Sequence, residues 1–203
     1  MKLIIVRHGA TEWNKKGIVQ GCLDIPLSDE GIMQGHLLAD KLKNIDIEYI
    51  FSSDLSRARD TAQLICDKHN LSFIEDHRLR EMDFGEWQGL SFEQITVSDK
   101  LKLDTWRNRP SLVKFDQGES IDDVKERALD FFNEIYTKFE HANILLVTHG
   151  SFIKILILAL LSTDMDLYKN LKQDNTAVNI IKVIDKRPML QLFNDTCHIQ
   201  RCV

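Results

Sequence analysis

The sequence predicts an α/β fold: a three-layer, mainly parallel sheet with helices on both faces and a small helical or loop insertion over the site. Two observations predict it. The chain opens on Lys2-Leu-Ile-Ile-Val-Arg7-His8-Gly9, and the same shape returns as Asn143-Ile-Leu-Leu-Val-Thr148-His149-Gly150. Each unit is a continuous apolar run rich in β-branched residues, the mark of a strand buried on both faces. Each then ends in a histidine and a glycine, where open α/β sheets bind their ligands. Between and after these units, strand patterns alternate with helical ones, which implies parallel strands joined by covering helices.

In order, Leu3–Val6 is read as the first strand, followed by a polar loop from Ala10 to Asp24. Ser28 is suited to cap a helix whose first turn carries Asp29 and Glu30, acids that face the positive end of the helix dipole. Ile32, Leu38 and Leu42 give that helix an apolar face to about Lys43, with Gly35 expected against the sheet. Tyr49–Phe51 is a short strand. Ser52, Ser53 and Asp54 are cap-forming residues before a helix from about Leu55 to Lys68, and Leu71–Ile74 is a third strand. Arg78 to Gly89 reads as an ordered loop, with Phe84 and Trp87 as packing aromatics. Ser91 to Trp106 is weakly helical and Arg107 to Gly118 is a loop; together, 91–118 form a cap-like insertion within a single domain spanning 1–203. A helix from Glu119-Ser120 to about Phe139 turns Val124, Ala128, Phe131, Phe132 and Ile135 inward. After the second strand–His–Gly unit comes an apolar helix. Thr176–Ile184 and Met189–Phe193 close the chain as strands joined through Asp185-Lys186-Arg187-Pro188 as a hairpin.

Composition narrows the class of function. The chain has a hydrophobic share of 43%, a charged share of 28% and a formal net charge of −5. Such a balance suits a globular protein and argues against nucleic-acid partners, which require basic surface. The most apolar stretch, Ile144 to Leu161, is interrupted by His149, Gly150 and Lys154, so no membrane span is expected. A core strand at the start of the chain leaves no signal-peptide pattern, and a cytoplasmic location with free thiols is expected. Cys197-His198 with Cys202 is only a weak metal pattern, and four converging ligands are not visible. No cofactor or metal is called for, and a monomer or homodimer is expected.

If the two strand ends are neighbours, Arg7, His8 and His149 share a pocket, to which the helix after Asp54 could deliver Arg57. Two guanidiniums and two imidazoles make an electropositive site in an acidic protein. Arginine forks match phosphate oxygens in pairs. A neutral imidazole can attack phosphorus and form a phosphohistidine. The departing alkoxide then needs a proton, and Glu81, Asp83 and Glu86 are the candidate acids; a carboxyl screened from water suits that role. A two-histidine, one-carboxylate metal site is disfavoured by the paired arginines. Gln20 and Gly21, in the loop after the first unit, are further candidates for substrate contact.

Several motifs, in order, resemble the histidine phosphatase superfamily, in its phosphoglycerate mutase-like branch. They are Arg7-His8-Gly9-Ala10-Thr11-Glu12-Trp13-Asn14, Asp24-x-Pro26-Leu27, Ser53-Asp54-Leu55-x-Arg57-Ala58-x-x-Thr61-Ala62, Leu79-x-Glu81 with Gly85-x-Trp87-x-Gly89, Gly118-Glu119-Ser120, Thr148-His149-Gly150, and Phe193-Asn194-Asp195-Thr196-x-His198. The resemblance implies that His8 is the phosphorylated nucleophile and Glu81 the proton donor. It also implies that Arg7, Arg57 and His149 hold the phosphoryl group, with Asn14 completing the pocket and no metal involved. The short span from Gly89 to Gly118 and the Phe84-Gly-x-Trp-x-Gly89 form look more like the small phosphatases, including the α-ribazole phosphatases, than the mutases. The expected activity is therefore metal-independent hydrolysis of a small phosphate ester, with Arg107 and Arg109 as candidate specificity residues. Phosphoglycerate mutase is the alternative, and a non-catalytic phosphate-ligand-binding protein on the same fold a remote one.

Overall fold

The computed structural model describes residues 1–200. Four strands run parallel at the centre and one side of a single six-stranded sheet: β1 (Lys2–Arg7), β2 (Tyr49–Ser52), β3 (Phe73–Glu75) and β4 (Asn143–Thr148). β5 (Val178–Ile184) and β6 (Arg187–Asp195) complete it in antiparallel sense, giving the order β3-β2-β4-β1-β5-β6. The expectation of a mainly parallel α/β sheet holds. β1 and β4 are direct neighbours, with Arg7 opposite Thr148, so the two His-Gly turns leave the sheet side by side.

Alternation along each strand divides the core into two layers. Leu3, Ile5, Ile144 and Leu146 face α6 (Ile121–Lys138) and α7 (Gly150–Leu160). Ile4, Val6, Leu145 and Val147 face α2 (Asp29–Leu42) and α3 (Ser56–His69). Each fully buried Leu, Ile or Val stabilises the fold by roughly 1.5–3 kcal/mol, so burying both faces of these two strands fixes their register firmly.

Several boundaries and faces differ from expectation, each for a physical reason. The loop after Gly9 contains a short helix, α1 (Glu12–Lys15), closed by a reciprocal capping box between Thr11 and Asn14. In α2, Ile32 is 43% exposed. The inward face begins instead at Gly31, where the helix start presses on the backbone of Ala10. Gly35 packs against Leu64 of α3 rather than against the sheet. α3 begins at Ser56 with no side-chain cap from its own N-cap residue; Asp24, from the distant loop, accepts the Ser56 N–H at 2.8 Å. Phe132 of α6 is only half-buried and stacks on Tyr136. The third strand is Phe73–Glu75, shorter and later than expected.

The segment after Gly89 forms two helices, α4 (Phe92–Ser98) and α5 (Lys100–Asn108), broken at Asp99, whose carboxylate accepts the indole N–H of Trp87. The β5–β6 hairpin turns on Asp185 and Lys186, both at positive φ, so β6 begins at Arg187 and Pro188 lies on the edge strand where no partner needs its missing N–H. A short α8 (Cys197–Gln200) follows. Of the weak metal pattern, Cys202 lies outside the described residues. Among the described residues no group of three or more His, Cys, Asp or Glu is placed to hold a metal ion, and no helix is long and apolar enough to cross a membrane.

Candidate active site

A cavity of about 190 Å³ opens at the carboxyl ends of β1 and β4, and its walls include Arg7, His8, Asn14, Gln20, Gly21, Arg57 and Glu81. Chain segments far apart in sequence therefore meet at one place. His149 lies behind His8 rather than in the cavity wall, with the two ring centroids 5.1 Å apart.

His8 is held by its own turn. Its backbone N–H donates to Thr148 O, and its Nδ1–H donates to the carbonyl of Gly9 at 2.7 Å. A carbonyl can only accept, so Nδ1 carries the ring proton and Nε2 keeps its lone pair. Burial, and then the charges of Arg57 and Arg7, hold the His8 imidazole well below the usual histidine range. The ring is neutral at physiological pH. His149 is likewise pushed well down by burial and by Arg57. Its Nε2 meets Ser53 Oγ at 2.9 Å, and Ser53 Oγ also accepts the Leu55 N–H.

The guanidiniums are oriented by backbone carbonyls. Arg57, 1% exposed, donates to Leu23 O and Gly21 O, and Arg7 donates to Gln173 O. Burial pulls Arg57 down to about 10 and lowers Arg7, which leaves both charged at neutral pH. The carbonyls neutralise no charge, and Glu81 acts on both guanidiniums only through space. Nε of Arg7, Nε of Arg57 and Nδ1 of His149 are buried with no hydrogen-bond partner among the described residues. Two arginine nitrogens without acceptors beside one cavity is an arrangement that an oxyanion would complete.

Glu81 reaches the start of α7. Its Oε1 accepts from the N–H groups of Met82, Ser151 and Phe152, while Oε2 only shares the Ser151 N–H. The helix N-terminus is a natural seat for a carboxylate. The competing acids are elsewhere engaged: Glu86 pairs with Lys102, and Asp83 accepts the N–H of Gly85. Asn14 Oδ1 closes the capping box and also accepts from Asn175 Nδ2. Gln20 Oε1 accepts from Thr11 Oγ1, and Gly21 serves through its carbonyl.

Phe84 and Trp87 pack in an aromatic cluster, as expected, but they also line the cavity, together with Phe92 of α4 and Trp106 of α5. From the 91–118 segment, Phe92 and Trp106 thus reach the cavity. Cys22 donates its thiol hydrogen to Glu81 O, and burial pushes that thiol up to about 12. Arg109 is turned away to pair with Asp166, whereas Arg107 lines a neighbouring cavity. Three residues escaped sequence reasoning. Asn175 donates to His8 O as well as to Asn14, Ser53 orients His149, and Lys154 stands beside Glu81 in an adjoining cavity. Only Ser53 carried a signal, as part of a recognised motif.

Comparison with known proteins agrees with this geometry. The family model for the histidine phosphatase superfamily, branch 1, matches residues 3–196. Phosphoserine phosphatase 1 of Hydrogenobacter thermophilus is 33% identical over 98% of this chain and 94% of its own. The structure of Entamoeba histolytica phosphoserine phosphatase in complex with 3-phosphoglyceric acid superposes with a TM-score of 0.89, at 31% identity over 98% of each chain. An Escherichia coli structure described as a candidate alpha-ribazole-5′-P phosphatase gives a TM-score of 0.86, at 26% identity over 96% of each chain. With two histidine-bearing turns on neighbouring strands and matches along nearly its whole length, this chain belongs to branch 1 of the histidine phosphatase superfamily and is a phosphatase of that superfamily.

Proposed function

We propose that the protein hydrolyses a small phosphate monoester in two steps through a phosphohistidine on His8, without a metal. In the first step the lone pair of His8 Nε2 forms a bond to phosphorus while the bond from phosphorus to the ester oxygen breaks. Glu81 Oε2, the less engaged of its two oxygens, gives a proton to the departing alkoxide. In the second step a water loses a proton to Glu81 and attacks phosphorus. The bond to His8 breaks and inorganic phosphate leaves. Arg7, Arg57 and His149 receive the phosphoryl oxygens, and the charge of the two arginines is in place before the reaction begins. Asn14, Gln20 and Gly21 shape the near wall.

The observation that carries this reading is the fixed tautomer of His8, with a free Nε2 beside the guanidiniums of Arg7 and Arg57, which form no ion pair among the described residues. A neutral imidazole pointing into a cationic pocket is poised for nucleophilic attack on an anion. Free thiols at Cys22, Cys66 and Cys197 suit a cytoplasmic setting.

The test is acid-quench labelling followed by intact mass. Wild-type protein should trap an acid-labile phosphoprotein, and His8→Ala should lose both the adduct and turnover. Turnover surviving in that variant would refute the covalent route. With 3-phosphoglycerate as probe, free phosphate is expected rather than 2-phosphoglycerate; the opposite product ratio would make the protein a mutase.

A further inference from the structure

The Phe193-Asn194-Asp195-Thr196 segment is a motif that the site leaves unused, since none of its residues lines the cavity. It ends β6, where Val178 pairs with Asp195 and Ile180 with Leu192, so Phe193 and Asn194 stand opposite the single residue Asn179. This is a β-bulge, which bends an edge strand and is common beside active sites. Asn194 sits in it at a φ of +51°, a conformation that asparagine tolerates better than most residues. From there its side chain grips the loop 171–177, which forms neither helix nor strand. Its Oδ1 accepts the Asp174 N–H at 2.8 Å, and its Nδ2 donates to Asp174 Oδ2 at 2.9 Å.

The Asp174 N–H belongs to the peptide group whose other polar atom is the carbonyl oxygen of Gln173, and that oxygen accepts from Arg7 Nη1 at 2.6 Å. A peptide group is planar, so a partner on its N–H sets the direction of its C=O. Gln173 is pinned a second time through its side chain. Its Nε2 donates to Asn179 Oδ1 at 2.8 Å, and Asn179 Nδ2 donates back to Gln173 Oε1 at 3.0 Å. Asn179 is fully buried. Its Oδ1 also accepts the Asn194 N–H and its Nδ2 also donates to Ile5 O, so all four bonds open to an amide are used. Neutral amides thus brace the carbonyl that holds Arg7 without neutralising the arginine. Unbraced, an irregular loop would present that carbonyl in several directions, and the guanidinium with it.

We propose that Asn194 and Asn179 are positioning residues that lock the Gln173–Asp174 peptide group, so that its carbonyl aims the guanidinium of Arg7 at the phosphoryl oxygens. Neither residue touches the substrate; both act through the loop. The inference rests on the reading of Arg7 as a phosphoryl-binding group of a phosphomonoesterase. Loosening the clamp leaves the charge of Arg7 in place and blurs its geometry, so the loss falls on how tightly the phosphoryl group is held.

Asn194→Gly removes the clamp and keeps the positive φ, which glycine adopts freely. Gln173→Leu removes the amide pair from the loop side. With p-nitrophenyl phosphate as substrate, each variant should raise KM and the competitive Ki of inorganic phosphate by about tenfold, the size expected for one hydrogen bond to a charged group. Inorganic phosphate has no alcohol part, so its Ki reads the phosphoryl seat alone. A merely structural role would reduce the active fraction, which lowers the apparent kcat and leaves KM and Ki where they were. Because both variants act on one peptide group, the double variant should fall short of the product of the two single effects. KM and Ki unchanged in either single variant, or a double variant whose effect equals that product, would overturn the proposal. The wild type is the separate arm: no turnover of p-nitrophenyl phosphate brings down the phosphomonoesterase reading, whereas turnover and phosphate inhibition that either variant leaves untouched bring down only the clamp.

Discussion

Glu81 illustrates how much one side chain owes to partners that no local pattern reveals. Its oxygens accept from three backbone N–H groups, two of them at the start of a helix some seventy residues away. Asp83 and Glu86 lie close in sequence yet make other contacts, so residue type alone left the three carboxylates open and only the family resemblance chose among them. Glu81→Gln keeps the size and removes the proton. Turnover of alkyl phosphates should then fall by about 10²–10⁴-fold, and turnover of p-nitrophenyl phosphate by much less, since nitrophenolate leaves without protonation. Equal losses on both substrates would count against Glu81 as the acid. Arg57 was ambiguous in the same way, because an arginine near a helix start is usually solvated. It is buried because the carbonyls of Gly21 and Leu23, from another loop, take its N–H groups.

At the scale of elements, strands and helices were legible wherever their cause is local. The apolar runs of β1 and β4, the Ser28 cap of α2 and the Ser120 capping box of α6 all lie within a few residues of what they stabilise. Long-range causes were invisible. The capping of α3 by Asp24 and the break at Asp99, tied to Trp87, require knowledge of which loops meet. Ile32 was assigned inward on periodicity, but the close approach of α2 to the Ala10 backbone gives that place to Gly31. A Cβ on Gly31 would lie 2.0 Å from Ala10 O, and one on Gly9 would lie 2.4 Å from Gly31 O. Neither neighbour is a flexible side chain, so the helix or the His8 turn must move. Gly31→Ala should cost about 1–3 kcal/mol in chemical denaturation and should lower kcat as well, although residue 31 touches no substrate. Unchanged stability would show that α2 is free to shift.

Over the whole molecule, three histidines are buried in their neutral form: His8 and His149 well below the usual range, and His198 at about 4, each chiefly through burial. In the unfolded chain they titrate near 6.5. Below that pH the unfolded state binds more protons than the native one, so their contribution to stability is complete above about 6.5 and declines as the pH falls. Asp54, Asp76 and Asp195 are held below the ordinary aspartate value, so their contributions are lost only at more acid pH. Denaturation midpoints should therefore drop between pH 7 and pH 5, by up to about 1.4 kcal/mol per pH unit for each histidine. His198→Gln, remote from the cavity, should flatten the slope. A profile that stays level over this interval would mean that these rings have ready access to protons.

The pairing of Arg7 with Thr148 across adjacent strands carries a further consequence. Arg7 and the two His-Gly turns leave the stiffest part of the scaffold, on neighbouring rungs of one ladder, whereas Phe92 and Trp106, which line the same cavity, hang from separate short helices. Appetite for a given ester can thus be rewritten by exchanging peripheral pieces, while the reactive centre travels unchanged from one descendant to the next.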